Sequence, residues 1–312
     1  MDGSEASERD GAPIVRVICG PTAAGKTGVA LALARDVTLT VVSADSRQLY
    51  RRFDVGTAKP SIEERRAVPH CGIDVLAPTV RASAAWWAEQ ADGWLRESLA
   101  SGRTPVIVGG TGLYLRALFG ALFEEPRLDV DRRAALQTEL GTLDTDELRR
   151  WVRQLDPPRA SLGRTQLLRA AEIALLTGRR VSDLHREHAR PPRWRARYLL
   201  VDPAEGLAAR IEARARSMMD AWRAEVRALA RDVPEDAPAW NASGYRAIRL
   251  LERGELTYDD ALETVIIETR QYAKRQRTWF RHQLSGQPVT RLDPRSADWH
   301  ERALDWWNAC DA

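Results

Sequence analysis

A glycine-containing loop near the start of the chain joins a short apolar run to a helical pattern, and this arrangement limits the possible folds most. Residues 14–19 are rich in β-branched side chains and predict a buried strand, while residues 28–35 have the apolar spacing of a helix. The loop between them matches Gly-x-x-x-x-Gly-Lys-Ser/Thr in full. Such a loop turns backbone amides and a helix dipole toward phosphate oxygens, and its hydroxyl residue reaches Mg²⁺. The predicted diphosphate-binding residues are Gly20, Pro21, Thr22, Ala23, Ala24, Gly25, Lys26 and Thr27, with Thr27 also binding the metal.

Lysine is rare in this chain, and its position is informative. Only three of the 47 basic residues are lysines, namely Lys26, Lys59 and Lys274. A compact ammonium on a flexible stem fits inside a tight loop of backbone donors, which a guanidinium does not. The choice of lysine at position 26 therefore supports a phosphate site. It does not identify the reaction, because kinases, NTPases and transferases all use this loop.

Further β-rich runs predict a parallel sheet. They lie at residues 38–43, 105–108 and 197–201, each with turn or helix signals after it. Such runs, buried on both faces, are typical of an α/β fold, and we predict a P-loop NTPase-like parallel sheet flanked by helices. Residues 123–196 have helical spacing and many arginines, which predicts a mostly helical insertion domain. The rest of the chain divides into a disordered N-terminus at residues 1–12 and a core formed by residues 13–122 and 197–312.

Composition narrows the cellular context. The 312 residues carry a formal net charge of +3, which allows a polyanionic partner without requiring one. The three cysteines are widely separated and lack a Cys-x-x-Cys spacing, which is typical of a reducing compartment. No stretch approaches the roughly 18 apolar residues of a membrane span. We therefore expect a cytoplasmic protein with no membrane partner. We also expect it to be a monomer.

An aspartate stands where the second predicted strand ends, within residues 42–50. The carboxyl ends of parallel strands open on the crevice where such folds bind ligands, so Asp45 is placed to act as a base. Aspartate is also a preferred residue at the start of a helix. The residue types alone favour both interpretations equally.

A third loop, at residues 108–114, leaves another predicted strand toward the same crevice. No acidic residue directly follows the run 105–108. P-loop NTPases are expected to hold magnesium with an acid at the end of such a strand. ATP hydrolysis is therefore disfavoured relative to another use of the phosphate loop.

Five blocks of sequence, taken in order, resemble those of bacterial tRNA dimethylallyltransferases. All three lysines fall inside these blocks, and five ordered blocks are far more specific than the phosphate loop alone. The blocks are residues 20–27, 43–50, 54–60, 108–114 and 269–281.

The resemblance implies a prenyl transfer that needs no ATP. A dimethylallyl group would pass from dimethylallyl diphosphate to N6 of the adenosine on the 3′ side of the anticodon, in tRNAs that read codons starting with U. The products would be N6-dimethylallyladenosine and diphosphate. The implied partners are the tRNA anticodon stem-loop and dimethylallyl diphosphate, and the implied cofactor is Mg²⁺.

The same resemblance assigns roles to individual residues. Asp45 matches the general base that accepts a proton from the adenine amine, and Thr111 matches a catalytic contact near the target nucleotide. Both also belong to the implied tRNA-binding set. The other matching positions are Ser46, Arg47 and Gln48 at the flipped-out base, and Arg210 and Arg214 near the diphosphate. Without the resemblance, the last two arginines would be interpreted as a solvated helix face.

Basic residues predict where the RNA backbone binds. Helical spacing predicts long helices over residues 208–231 and 259–284, and residues 269–282 contain five basic side chains and no acidic one. Helical spacing aligns most of them in one stripe, as phosphate contacts require, although a merely solvated basic helix is the alternative. The arginine-dense insertion adds further candidates. The predicted tRNA-binding residues of the two regions are Arg133, Arg164, Arg169, Arg270, Lys274 and Arg277.

Three other functions remain open from the sequence. A related adenylate isopentenyltransferase would prenylate free AMP or ADP, but it should not need an arginine-rich insertion. A small-molecule P-loop kinase is disfavoured by the acid missing after residue 108. A purely RNA-binding role would leave Lys26 and Asp45 unexplained.

Overall fold

The computed structural model describes residues 12–120, 128–187 and 192–309. The predicted disordered N-terminus lies almost wholly outside these ranges, as does the predicted boundary between residues 122 and 123. The described residues divide into two compact units, one within 120–192 and the other made of 12–119 together with 193–309.

A six-stranded sheet forms the centre of the larger unit, and each strand pairs in parallel with its neighbours. The strands are β1 (Ile14–Cys19), β2 (Leu39–Ala44), β3 (His70–Cys71), β4 (Thr104–Gly109), β5 (Arg195–Val201) and β6 (Val289–Leu292). Their order across the sheet is β3-β2-β4-β1-β5-β6. Every residue of β2 is buried, as expected of a strand covered on both faces.

Helices make up most of the remaining structure. In chain order they are α1 (Lys26–Leu33), α2 (Ile62–Ala67), α3 (Ala84–Ala100), α4 (Gly112–Phe119), α5 (Val130–Thr142), α6 (Thr145–Leu155), α7 (Arg164–Thr177), α8 (Val181–Glu187), α9 (Leu207–Leu229), α10 (Tyr245–Glu252), α11 (Tyr258–Gln283) and α12 (Trp299–Asn308). Helices α5–α8 belong to the smaller unit. Among the helices of the described ranges, none is both long and apolar enough to cross a bilayer.

Two apolar clusters hold the larger unit together. In the first, Leu33 of α1 and Trp306 of α12 pack with buried strand residues. In the second, α9, α10 and α11 share a core in which Trp222 and Phe53 both contact the ring of Tyr245, with centroids 5.2 and 5.1 Å apart. Burial of such aromatic rings contributes most to the apolar stabilisation of a core. The second cluster fixes both long helices against the segment that follows β2.

The strand register brings three loops to one edge of the sheet. Gly109, the last residue of β4, pairs with Ala44 of β2 on one side and with Cys19 of β1 on the other. The loops that follow these strands therefore start side by side, although they are far apart in sequence. A Cβ at position 109 would lie 2.2 Å from the Ala44 carbonyl oxygen, so glycine is required by this close approach.

The smaller unit is helical and has its own core. Leu148 and Val152 of α6 pack with Leu167 of α7, and all three are fully buried. An Asp144 capping box starts α6, with Glu147 completing it. The apolar residues that recur at helical spacing in this segment are therefore the ones that form the core of the smaller unit.

Two of the predicted tRNA-binding arginines take part in an internal charge network of this unit. Glu172 is only 3% exposed, and its carboxylate accepts hydrogen bonds from Arg133 Nε and Gln137 Nε2, each at 2.6 Å. Arg169 contacts the other carboxylate oxygen at 2.5 Å. These ion pairs hold the pKa of Glu172 below its usual range, against the effect of burial. Arg133 and Arg169 thus neutralise a buried acid, whatever else they bind.

The α/β fold predicted from the sequence is confirmed. The strands predicted at 14–19, 38–43 and 105–108 lie within a residue of β1, β2 and β4. Strand β5 begins at Arg195, two residues before the predicted one, so it crosses the predicted insertion boundary. Strands β3 and β6 were not predicted, because runs of two and four residues have too little periodicity to be recognised.

Lys59 is a structural lysine. Its side chain is 2% exposed, and Nζ donates to the Tyr50 carbonyl and to carboxylate oxygens of Asp54 and Asp74, all at 2.6 Å. Three hydrogen-bond acceptors satisfy the three donors of the ammonium. The contacts tie the segment 50–59 to the turn after β3.

Replacing Lys59 by methionine is therefore expected to lower the free energy of unfolding by about 2–3 kcal/mol, somewhat less than for a fully buried pair because both carboxylates are partly exposed. Urea titration monitored by circular dichroism measures the change. Arg52→Met is the matched control, since Arg52 pairs with Asp232 at the surface and its loss should cost about 1 kcal/mol or less. Equal losses in the two variants would contradict the structural role.

Candidate active site

A cavity of about 490 Å³ opens where the three loops meet. Helix α9 forms one of its walls, and the segment after β2 forms another. Nine of the residues predicted for the site line it, namely Thr22, Ala23, Gly25, Lys26, Thr27, Asp45, Gln48, Arg210 and Arg214. The sheet register therefore assembles one site from separate parts of the sequence.

The phosphate loop adopts the expected strained conformation. Gly20 and Gly25 have φ values of +145° and +102°, which favour glycine. A Cβ at Gly20 would lie 2.1 Å from the Val201 carbonyl oxygen, so the loop also packs directly on the end of β5. Lys26 Nζ donates to the Pro21 carbonyl at 2.7 Å. Burial lowers the pKa of Lys26 to about 8, and the nearby Asp45 charge only partly opposes this.

Asp45 forms a turn and does not begin a helix. Its Oδ1 accepts a hydrogen bond from the Arg47 amide at 2.9 Å, and residues 46–49 continue as turns. This is the local pattern by which aspartate stabilises a tight turn. The helix-capping interpretation is therefore wrong, because the chain must cross the sheet edge here before α2 begins.

The charge of Asp45 acts on the other polar groups of the site. It favours the charged forms of Lys26 and Arg214, raising the pKa of each against the lowering by burial. It also adds to the burial that raises the pKa of Tyr272 to about 12. Asp45 therefore lies close to two cations, and its carboxylate oxygens are lone-pair acceptors inside the cavity.

Thr111 connects two of the loops. Its Oγ1 accepts a hydrogen bond from the Ser46 amide at 3.1 Å, and its own amide donates to the Ala44 carbonyl at 3.1 Å. Its side chain also acts on the nearby Tyr272 hydroxyl, where it partly opposes the rise in the Tyr272 pKa. The structure therefore brings Thr111 close to Asp45. This proximity is expected if the two sequence blocks that contain them form one site.

Gln48 is fully occupied by protein partners. Its Oε1 accepts from the Ser43 hydroxyl at 3.1 Å, and its Nε2 lies 3.3 Å and 3.2 Å from the Thr57 and Ala58 carbonyls. These contacts anchor the segment 57–58 in the cavity wall. Contact with a nucleobase stays a prediction, and it would require Gln48 to exchange at least one of these partners.

The two arginines of α9 differ in their surroundings. Arg210 is exposed, and its Nε donates to the Ala23 carbonyl of the phosphate loop at 2.9 Å. Arg214 is partly buried, and burial lowers its pKa. Arg214 lines the large cavity together with Lys26. Two cations beside the loop amides make this part of the cavity suited to an anion with more than one charge.

A second cavity, of about 70 Å³, adjoins the first. Asp45 and Arg214 line both cavities, whereas Met218, Trp222 and Val265 line only the smaller one. Asp45 therefore lies between the space beside the phosphate loop and a smaller space with a mixed polar and apolar lining.

Thr27 is placed to contribute to a metal site but could not form one alone. Across the described part of the chain, no group of three or more His, Cys, Asp or Glu side chains could hold an ion. A divalent ion at Thr27 would take its other ligands from bound phosphate and water, as Mg²⁺ commonly does. The residues present fit that arrangement.

The basic residues of α11 differ in their contacts with acidic side chains. Arg277 forms an ion pair with Asp202 through Nε at 2.9 Å, and Arg270 contacts Glu212 at 3.2 Å. Lys274 is exposed. In the smaller unit, Arg164 donates to the Gly141 carbonyl at 3.0 Å. The tRNA-binding role of these residues stays a prediction.

Sequence analysis missed one polar residue of the site, Gln276. It is 6% exposed and hydrogen-bonds to both the phosphate loop and the loop after β4. The available signal was helical spacing, which places position 276 on the same face of α11 as the buried Ala273 and Phe280. The neighbouring basic residues suggested an exposed helix face, so this spacing was not interpreted as burial.

The parallel sheet, the glycine loop and the adjacent carboxylate define an α/β enzyme of the P-loop class with a carboxylate beside its phosphate loop. Two family models match the sequence: IPP transferase over residues 48–283 and isopentenyl transferase over residues 13–74. The chain belongs to the IPP transferase family, which confirms the resemblance found in the sequence blocks.

Individual proteins agree with this assignment. The tRNA dimethylallyltransferase of Anaeromyxobacter sp. (strain K) is 42% identical over 272 residues, which are 85% of this chain and 89% of that protein. The crystal structure of the full-length tRNA isopentenylpyrophosphate transferase of Bacillus halodurans is 30% identical with a TM-score of 0.66, covering 94% of both chains. A eukaryotic dimethylallyltransferase acting on tRNA is 23% identical with a TM-score of 0.76, covering 90% of this chain and 74% of that one, and supports the fold.

Proposed function

We propose that this protein transfers a dimethylallyl group from dimethylallyl diphosphate to N6 of the adenosine 3′-adjacent to the anticodon, in tRNAs that read codons starting with U. The observation that carries the proposal is the position of Asp45 between the cavity beside the phosphate loop and the smaller cavity, where Met218, Trp222 and Val265 supply apolar surface. Membership of the IPP transferase family and relatives named tRNA dimethylallyltransferase support this choice of substrates.

Diphosphate is the leaving group of this reaction, so the enzyme must stabilise negative charge. The amides of the phosphate loop, Lys26 and Arg214 surround the space where that charge develops. Such groups are already in place before the reaction, so they stabilise the transition state with little reorganisation. Mg²⁺ at Thr27 would add positive charge to the diphosphate oxygens when bound.

Asp45 supplies the acid–base step. The adenine N6 attacks the allylic carbon, the carbon–oxygen bond to diphosphate breaks, and the N6 proton passes to the Asp45 carboxylate. An exocyclic adenine amine is a weak nucleophile, so its alignment with the allylic carbon and the exclusion of water both matter. The apolar walls at Met218, Trp222 and Val265 suit a five-carbon chain.

The RNA substrate is large and anionic, and several exposed cations are available to bind it. We assign the backbone contacts to Lys274 and Arg270 of α11 and to arginines of the smaller unit such as Arg164. Phosphate contacts of this kind position the substrate without selecting its sequence. A tRNA substrate implies a cytoplasmic enzyme, and we expect it to act as a monomer.

Mass spectrometry of nucleosides tests the proposal directly. Unmodified substrate tRNA incubated with the protein, dimethylallyl diphosphate and Mg²⁺ should yield N6-dimethylallyladenosine. Parallel reactions with AMP and with ATP test the adenylate prenyltransferase and kinase alternatives. No prenylated nucleoside from tRNA, or faster turnover on AMP, would refute the proposed function.

The pKa of Lys26 predicts the pH above which the enzyme binds dimethylallyl diphosphate less efficiently. Only the charged ammonium attracts diphosphate, so kcat/KM for dimethylallyl diphosphate should fall as pH rises through about 8. Bound diphosphate favours the charged form, so kcat at saturating donor should persist to higher pH. Steady-state kinetics between neutral and alkaline pH measure both curves. A kcat/KM that stays level across that range would contradict the assignment.

A further inference from the structure

Gln276 joins two loops of the active site through one buried amide. Its Oε1 accepts a hydrogen bond from the Thr22 amide at 2.8 Å, and its Nε2 donates to the Gly110 carbonyl at 2.9 Å. The backbone N–H of Thr22 can only donate, and the Gly110 carbonyl can only accept. The two partners therefore define the orientation of the side-chain amide.

The two partners belong to two different loops of the site. Thr22 belongs to the phosphate loop, which would hold the leaving group. Gly110 precedes Thr111, whose hydroxyl accepts from the Ser46 amide next to Asp45. The bridge thus connects the loop for the diphosphate with the loops that hold the base.

The space around Gly110 shows how closely these parts are packed. A Cβ at position 110 would lie 2.2 Å from Gln276 Nε2 and 3.0 Å from the Gly20 carbonyl oxygen. The side chain of Gln276 fills the gap between the two loops. A change in its length or in its hydrogen bonding would alter their separation.

A neutral amide suits this position better than other polar side chains. Lysine and arginine have no acceptor for the Thr22 amide, and a carboxylate has no donor for the Gly110 carbonyl. A buried negative charge beside the phosphate loop would also disfavour an anionic ligand. Glutamine supplies one donor and one acceptor at the end of a chain that reaches both loops.

We propose that Gln276 is a positioning residue that sets the distance between the diphosphate loop and the loops carrying Asp45 and Thr111. The inference rests on the proposed prenyl transfer. Displacement at the allylic carbon requires the leaving group and N6 to lie in line, and a misplacement of about 1 Å can cost roughly 100-fold in rate. Gln276 acts through the loops, so its loss slows the chemical step and leaves tRNA affinity unchanged.

Single-turnover kinetics on the full-length protein provide the test, with saturating dimethylallyl diphosphate and varied tRNA. Gln276→Met removes both hydrogen bonds at similar volume, and Gln276→Glu keeps only the acceptor for Thr22. Each should lower the rate of N6 product formation by about 10- to 100-fold with the KM for tRNA unchanged. Gln283→Met is the matched control, because Gln283 is exposed at the end of the same helix, beyond the basic segment 269–282, and its loss should change neither parameter.

Gly110→Ala tests the bridge from its other end without altering α11. The added Cβ displaces the Gln276 amide, so the same loss of rate is expected with unchanged tRNA KM. This variant keeps the test decisive if the substitutions at 276 fail to fold, which thermal unfolding would reveal.

Two results would overturn the positioning role. One is a wild-type single-turnover rate in folded Gln276→Met, and the other is a loss that lies entirely in the KM for tRNA. Either result, obtained while the wild-type enzyme forms prenylated tRNA, overturns this inference alone. Failure of the wild-type enzyme to form that product overturns the proposed function and this inference together.

Discussion

Asp45→Asn is expected to lower kcat by about 10²- to 10⁴-fold, the usual contribution of a general base. The asparagine Oδ1 can still accept the hydrogen bond that Asp45 takes from the Arg47 amide, so the turn should persist. The amide cannot take a proton from N6. Because the Asp45 charge also raises the pKa of Lys26, the alkaline limb of kcat/KM should shift to lower pH in this variant.

Single-turnover rates and tRNA binding should be measured together for this variant. Binding is expected to persist, since the base acts in the chemical step. Asp298→Asn is the control, because Asp298 is exposed and its side chain makes no capping hydrogen bond. Near-normal turnover of Asp45→Asn with intact binding would refute the general-base role.

Lys26→Met is expected to lower kcat by about 10²- to 10³-fold, as for loss of one donor that stabilises a developing anion. The ammonium is held in the loop by the Pro21 carbonyl and lines the large cavity, where it would meet the leaving diphosphate. Methionine keeps most of the volume and removes the charge. The KM for dimethylallyl diphosphate should rise as well, because the ground state is also anionic.

A second lysine gives the contrast for this experiment. Lys274→Met removes an exposed charge from α11, so it should raise the KM for tRNA and reduce the salt dependence of binding while kcat stays unchanged. Steady-state kinetics at two salt concentrations separate the two variants. The assignment of Lys26 to the leaving group would be contradicted if its loss changed only the KM for tRNA.

The site was predictable where its chemistry is local. Residues 22–27 lie at the junction of a strand and a helix that follow one another in sequence, so the sequence pattern predicts which amides, ammonium and hydroxyl would face a phosphate. Asp45 was placed at the same edge by the rule for parallel strands. Its alternative role as a helix cap could be rejected only once the turn at residues 46–49 was seen.

The roles of the basic residues were much less predictable. Arg133 and Arg169 match the composition of an RNA-binding surface, yet both pair with the buried Glu172. Lys59 lies in a block shared with the family, yet its ammonium is satisfied by Tyr50, Asp54 and Asp74. Spacing along a helix identifies a charged face but not the acid that another element brings to it.

By itself, the sequence determined the phosphate loop, the parallel α/β fold and the family, because each depends on residues that are adjacent or regularly spaced. Only the tertiary structure revealed the bridge through Gln276, whose partners lie 254 and 166 residues away. Hydrogen bonds between distant segments depend on the register of the sheet and the packing of α11. No local pattern encodes them, because the residues next to a glutamine in the sequence do not show which distant loops will pack against its side chain.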